Sequence, residues 1–236
     1  MKTYVERFDD GPGGWFQWNN APGAFALDVG KSVATSRGPW WTDYNHAPPG
    51  GGYLHILFAL MTTQDSHVRT VAGPNRFIEG GFPTDFTNAR ITLRTRGEVD
   101  LKGSQLVLLV QSNITEPVAT RVNSVLTGQP VPVTRDWTET TLTCVPDNAQ
   151  WTCLGSRSDR FATYGWGPIV PVLRNVTSDI IFVLFPLDVQ PATPITGDRH
   201  VARAGLDYPL DAGRLPSGYV SMDEIRIEFP ESVTSR

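Results

Sequence analysis

The segment 36–50 carries the densest set of side chains that could do chemistry. It reads SRGPWWTDYNHAPPG, and two Trp, a Tyr, a His, an Asp and an Arg fall within ten positions. Aromatic rings offer a large apolar contact to the C–H face of a sugar. Polar side chains pair with sugar hydroxyls, which cost free energy when they are buried unpaired. The segment therefore predicts a carbohydrate-binding surface that includes at least one of Trp40, Trp41 and Tyr44.

Neighbouring Trp40 and Trp41 are expected to point to opposite faces of an extended chain, so one of them belongs to the core. Turn-rich stretches elsewhere add polar groups that could form a rim around the aromatic patch, although ordinary surface charge is the alternative. The full set of candidate ligand-binding residues is Trp40, Trp41, Asp43, Asn45, Arg69, Arg76, Trp166 and His200.

Tyr44 and His46 are also candidates for acid–base catalysis. Their i, i+2 spacing puts both side chains on one face of an extended segment. Such a pair can remove the proton beside a carboxylate and protonate a leaving oxygen, as a polysaccharide lyase requires. Arg37 could neutralise the uronate carboxylate. The candidate catalytic residues are therefore Tyr44, His46 and Arg37.

Two other chemistries have weaker support in the sequence. Glycoside hydrolysis needs two carboxylates about 5–10 Å apart, and Glu98 and Asp100 are a candidate pair. A zinc site built from His46, His55 and an aspartate is a further alternative. A third class of function is a structural protein that uses its aromatic loops as an interface, because Trp and Tyr are also interface residues.

Strand-like runs punctuated by Gly and Pro must position these residues. In Arg90–Arg96 the apolar Ile91 and Leu93 alternate with polar residues, and Gln105–Val110 and Ile180–Phe185 are almost continuously apolar. In Tyr219–Phe229 the alternation shifts by one at Asp223-Glu224, which predicts a β-bulge. The other predicted strands are Ala24–Val29, Tyr53–Leu60 and Thr138–Cys144. This pattern predicts an all-β antiparallel sandwich (jelly roll) with long loops and little helix, formed as one domain over residues 1–236.

Three segments together resemble carbohydrate-binding modules of the galactose-binding-like jelly-roll type. They are FDDGPGGW at residues 8–15, GGGYLHI at residues 50–56 and SGYVSMDEIRI at residues 217–227. The likeness covers both ends of the chain, and jelly rolls of the concanavalin-like lectin and glucanase type are a related possibility. The resemblance implies a carbohydrate ligand and a structural calcium shared by Asp9 and Asp223, since calcium takes six to eight oxygen ligands.

Composition and charge exclude several other classes of protein. A net charge of -4 and a pI near 5.5 argue against a nucleic-acid partner. No apolar run approaches the ~20 residues of a membrane span, so no membrane partner is expected. The first residues have no apolar signal region, which indicates a cytoplasmic protein or a mature secreted form. Cys144 and Cys153 flank a turn signal and could face each other across a hairpin, either bridged or reduced. The sequence does not indicate an oligomeric state.

Overall fold

The computed structural model describes residues 2–18, 23–114, 120–157, 164–198 and 200–231. Two antiparallel β-sheets pack against each other and there is little helix, which confirms the all-β sandwich. The jelly-roll type of connection stays a prediction.

The first sheet contains six strands among the described residues. In spatial order they are β10 (Thr138–Thr143), β7 (Arg90–Asp100), β13 (Ser217–Phe229), β4 (Val33–Arg37) and β3 (Asp28–Gly30), with β1 (Lys2–Glu6) also paired to β13. The register of β13 on β7 shifts between Met222 and Glu224, which confirms the predicted bulge at Asp223.

The second sheet contains seven strands among the same residues. In spatial order they are β11 (Thr152–Leu154), β9 (Thr120–Val125), β8 (Gln105–Ile114), β12 (Asp179–Leu187), β6 (Tyr53–Met61) and β2 (Trp15–Phe16), with β5 (Thr42–Asp43) also paired to β6. The short helices are α1 (Arg69–Ala72), α2 (Arg76–Glu79) and α3 (Ile169–Leu173). No helix in the part of the chain described here is long and apolar enough to cross a membrane.

The main core lies between the two sheets and uses alternate side chains of each strand. From β8 and β12 it takes side chains such as Leu108, Val110 and Phe182, which meet Ile91 and Ile227 of the first sheet. The intervening side chains of β8 and β12 face the opposite way and are buried too. Both predicted apolar runs are therefore strands covered on both faces.

The predicted strand Ala24–Val29 is mostly wrong, because β3 begins only at Asp28. Phe25 forms an isolated bridge to Gln17 and leaves its ring 38% exposed. The predicted hairpin between the two cysteines is also wrong. The chain between them leaves β10 in the first sheet and enters β11 in the second, so the turn at Pro146 connects sheets instead of neighbouring strands. Cys144 and Cys153 are free thiols.

The thiols give a direct check of this topology. Cys144 is fully buried in the core and burial raises its pKa to about 12, whereas Cys153 is half-buried. We expect Ellman's reagent to react slowly with at most one thiol in the native protein and with two thiols in denaturant. A reductant should leave the melting temperature unchanged. A denatured protein with no free thiol would contradict the assignment of Cys144 and Cys153 as free thiols.

Candidate functional site: a groove on the seven-stranded sheet

A groove of about 830 Å³ lies on the outer face of the seven-stranded sheet. Its floor crosses β9, β8, β12 and β6 and ends beside β2. With strands about 4.8 Å apart, the four spacings from β9 to β2 span roughly 19 Å. Its apolar floor consists of Phe16, Leu54, Ile56, Met61, Leu109 and Ile181. The groove is thus long enough for several linked units of a chain molecule.

One row of the floor is polar. Asp179 of β12 pairs in register with Gln111 of β8, and Gln111 pairs with Asn123 of β9. Arg121 of β9 lies two residues from Asn123, on the same face. All four residues line the groove. The sheet register therefore brings an acid, two amides and a guanidinium together at one end of the groove.

The imidazole of His46 is fixed above this row by both of its nitrogens. Nδ1 lies 3.0 Å from the carbonyl oxygen of Gly155, which can only accept, so Nδ1 carries the hydrogen. In the neutral ring Nε2 then has the lone pair, and it accepts from the amide nitrogen of Asn123 at 2.7 Å. The Asp43 carboxylate is 4.0 Å from Nε2. Nε2 is therefore the basic nitrogen and it is directed towards the polar row.

Tyr164 lies against the other side of His46. The centroids of the two rings are 4.6 Å apart, and the Arg121 guanidinium lies 5.9 Å from the tyrosine ring. Burial, and then the negative charge of Asp43, raise the pKa of Tyr164 to about 12. Its hydroxyl is therefore protonated at neutral pH and can donate a proton or a hydrogen bond.

Two carboxyl groups in the groove have raised pKa values. Burial raises the pKa of Asp179 to about 7, against the opposing effect of the Arg121 charge. Burial also raises the pKa of Asp43, although His46 and the N–H of Asn45 oppose the shift. Oδ1 of Asp179 and Oδ1 of Asn123 are shielded from solvent and have no hydrogen-bond partner among the described residues. Unpaired buried oxygens of this kind cost free energy.

An aromatic wall closes the β6 side of the groove. The rings of Trp18 and Trp41 stack with centroids 5.2 Å apart, and Tyr44 meets Trp41 edge-on at 5.5 Å. Behind the wall, Ala204 and Tyr208 pack with Trp41 and Tyr44. The segment 204–208 therefore supports the wall from behind.

The structure brings five of the predicted site residues to the groove: Trp41, Asp43, Tyr44, Asn45 and His46. Trp40 belongs to the main core, where its indole N–H donates to Ser36 at 2.9 Å. The adjacent tryptophans thus point to opposite sides. Tyr44 lines the same groove as His46, but the ring in contact with the imidazole is that of Tyr164.

The other predicted site residues lie outside the groove. Arg37 is on the six-stranded sheet and packs over Tyr219 at 4.9 Å. Arg69 of α1 forms an ion pair with Glu79 of α2. Arg76 of α2 forms an ion pair with the buried Glu6 of β1 at 2.7 Å. The backbone N–H of His200 is bonded to Asp198.

Trp166 is 62% exposed and also lies outside the groove lining. Glu98 and Asp100, the predicted hydrolase pair, are on β7 of the opposite sheet, where Glu98 faces Arg135 and Asp100 pairs with Lys102. A hydrolase built on that pair would therefore act away from the groove.

The sequence did not predict any residue of the polar row, which consists of Gln111, Arg121, Asn123 and Asp179, nor did it predict Tyr164. One signal was available in β9, whose sequence TRVNSV places Asn123 between the two buried valines Val122 and Val125. A buried asparagine in a half-apolar strand indicates a specific polar partner. Asp179 and Tyr164 carry no comparable local signal, because their neighbours come from distant parts of the chain.

The proposed zinc site is not formed, because its histidines lie on opposite faces of the sheet. His55 packs against core Trp40 and donates to the Trp41 carbonyl, and burial lowers its pKa to about 4. Within the described ranges, no three His, Cys, Asp or Glu residues form a group that could hold a metal ion. The calcium of Asp9 and Asp223 stays a prediction: Asp9 accepts from Ser32, and Asp223 accepts from Arg94 at 2.9 Å.

No family model and no curated protein matches this sequence. One solved structure is described as "Prominent members of the human gut microbiota express endo-acting O-glycanases to initiate mucin breakdown". It is similar with a TM-score of 0.37 and 10% identity, over 95% of this chain and 97% of that chain. A TM-score of this size does not establish a common fold.

The raised pKa of Asp179 predicts a pH-dependent cost to stability. The native pKa of about 7 exceeds the unfolded value of about 3.9, so the native state binds more protons between these pH values. Stability therefore falls as pH rises from about 4 to about 7. Asp179→Asn removes this titration, so its melting temperature relative to wild type should rise from pH 5 to about pH 7 and then level off. Glu139→Gln, at an exposed carboxyl of β10, is the control, and a constant difference for Asp179→Asn would refute the prediction.

Calcium can be tested by chelation. A ligand that binds only the folded state stabilises it, so EDTA should lower the melting temperature if Asp9 and Asp223 share a calcium ion. Asp223→Ala should then abolish the response to EDTA. A wild-type melting temperature unaffected by EDTA removes calcium from the account.

Proposed function

We propose that the groove binds an oligosaccharide segment of a polysaccharide. The observation that carries this proposal is the combination, in one groove, of a stacked aromatic wall and a row of amide, carboxyl and guanidinium groups. The wall suits the apolar face of a sugar ring. Sugar hydroxyls can pair with this row, in which Arg121 is exposed and Asp179 is half-buried.

A matched pair of tryptophans tests this proposal. Trp18 and Trp137 are both half-buried, but Trp18 stacks in the aromatic wall, whereas Trp137 lies under Arg94 and Arg96 on the six-stranded sheet. We expect Trp18→Ala to weaken glycan binding about tenfold, which corresponds to ~1.4 kcal/mol. Trp137→Ala should leave binding unchanged.

The probes are alginate, polygalacturonate, laminarin and xylan, screened by affinity electrophoresis and then titrated calorimetrically. Equal effects of the two substitutions, or no retention of any of these polymers, would overturn the proposal.

A second candidate function is cleavage of an acidic glycan by β-elimination, and the contact between His46 and Tyr164 favours it. Nε2 of His46 would exchange its bond from Asn123 for the proton on the carbon beside the sugar carboxylate. The electrons left behind form a carbon–carbon double bond as the bond to the glycosidic oxygen breaks. The Tyr164 hydroxyl supplies a proton to that leaving oxygen, and Arg121 can pair with the sugar carboxylate.

Binding and cleavage are separated by Tyr164→Phe and His46→Gln. If the groove cleaves alginate or polygalacturonate, new unsaturated ends absorb in the ultraviolet, and each substitution should reduce that rate about 10²–10⁴-fold. Tyr164→Phe, which leaves both hydrogen bonds of His46 in place, should largely spare binding. If the groove only binds, wild type produces no such absorbance. Retention of full activity by both variants would exclude these residues as acid and base.

A further inference from the structure

Trp166 is the most exposed of the large apolar side chains described, with 62% of its surface accessible. Trp is enriched at binding interfaces because its ring offers a large apolar contact area, so an exposed and fixed Trp is a candidate binding residue. The groove as described does not use it. Its surroundings show how it is held and where it lies relative to the groove.

The indole is seated against the backbone of Gly155. A Cβ at that position would lie 2.3 Å from Cε2 of Trp166, so only glycine allows the ring to approach so closely. The carbonyl of the same Gly155 accepts the hydrogen bond from Nδ1 of His46. Gly155 therefore contacts the exposed ring of Trp166 and also holds the imidazole of His46.

The segment that carries Trp166 is firmly attached beside β9. Tyr164 bridges to Arg121 and exchanges hydrogen bonds with Ser156, and the N–H of Gly165 donates to the Arg121 carbonyl at 2.8 Å. A Cβ on Gly165 would lie 2.6 Å from Thr120. The exposed ring is thus preorganised, which lowers the conformational cost of binding to it.

Trp166 lies beside the end of the groove that Tyr164 lines. It follows Tyr164 by two residues, which span at most about 7 Å. Its ring contacts Gly155, whose carbonyl holds the groove imidazole of His46. The indole is therefore adjacent to this end, opposite the end closed by Trp18 and Trp41.

We propose that Trp166 is an outer binding platform for a glycan chain, on which a sugar unit stacks after the chain leaves the groove at the β9 edge. This inference rests on the proposed function. The role of Trp166 implies that the natural ligand is longer than the groove. The sugar unit that lies beyond the groove must present an apolar ring face to the indole. A free indole face can bind sugar units of different identity at this position, since stacking needs only the C–H face of the sugar.

The test is the dependence of affinity on chain length. Oligosaccharides of two to eight units, prepared from whichever of alginate, polygalacturonate, laminarin or xylan wild type retains, are titrated against wild type, Trp166→Ala and Trp166→Tyr. For wild type, affinity should keep rising beyond the length that fills the groove. Trp166→Ala should lose about fivefold to tenfold on the longest chains and nothing on the shortest, and Trp166→Tyr should restore most of the loss.

Val5→Ala is the control, because Val5 is an exposed apolar residue on β1 of the other sheet. Equal affinity of wild type and Trp166→Ala for every length overturns this inference and leaves the groove proposal intact. Equal loss at every length also overturns it, because the indole would then act through His46. A wild type that binds none of the polymers overturns both proposals. Self-association that disappears in Trp166→Ala, without a change in glycan affinity, assigns the indole to a second copy of the chain.

Discussion

The groove depends on the two hydrogen bonds of one imidazole. His46 donates to Gly155 after β11 and accepts from Asn123 on β9, so it ties the loop that follows β5 to the far side of the sheet. The N–H of Arg157 bonds to the Asn45 carbonyl at 3.0 Å and closes the same connection. Gly50 lies so close to Ser156 that a Cβ would come within 2.3 Å of its carbonyl carbon. Without this attachment the loop would not hold its aromatic residues over the sheet.

The polar row beneath the loop has a cost that the rest of the sandwich must offset. An aspartate with a pKa near 7 and two oxygens without partners are unfavourable on a sheet face that is otherwise apolar. The core between the sheets, with large buried side chains such as Trp15, Phe58 and Phe182, supplies the stability. Polar groups kept unpaired beside an aromatic wall are typical of a site that awaits a polar ligand.

The sequence predicted those features that depend on local patterns. Alternation and apolar runs located most long strands, and the shifted phase at Asp223 located the bulge. The cluster of aromatic and polar residues at 41–46 predicted one side of the groove, because those residues are close together in the chain. The separation of Trp40 into the core followed from the alternation of an extended chain.

The rest of the groove lining depends on sheet register, which the local sequence does not encode. Asp179 meets Gln111 only because β12 pairs with β8, and Tyr164 meets His46 only because the chain after β11 returns beside Arg121. Arg37 was predicted beside His46 on proximity in sequence. However, β4 belongs to the six-stranded sheet, so the intervening chain changes sheets between the two residues.

The place where the protein binds sugar is measured most directly by a crystal structure of the protein with a bound oligosaccharide. We expect a sugar chain lying across β9, β8, β12 and β6, with one ring against the wall of Trp18 and Trp41 and hydroxyls bonded to Arg121 and Asp179. Sugar bound instead on the six-stranded sheet, for example over Trp137, with the groove filled only by water, would contradict it.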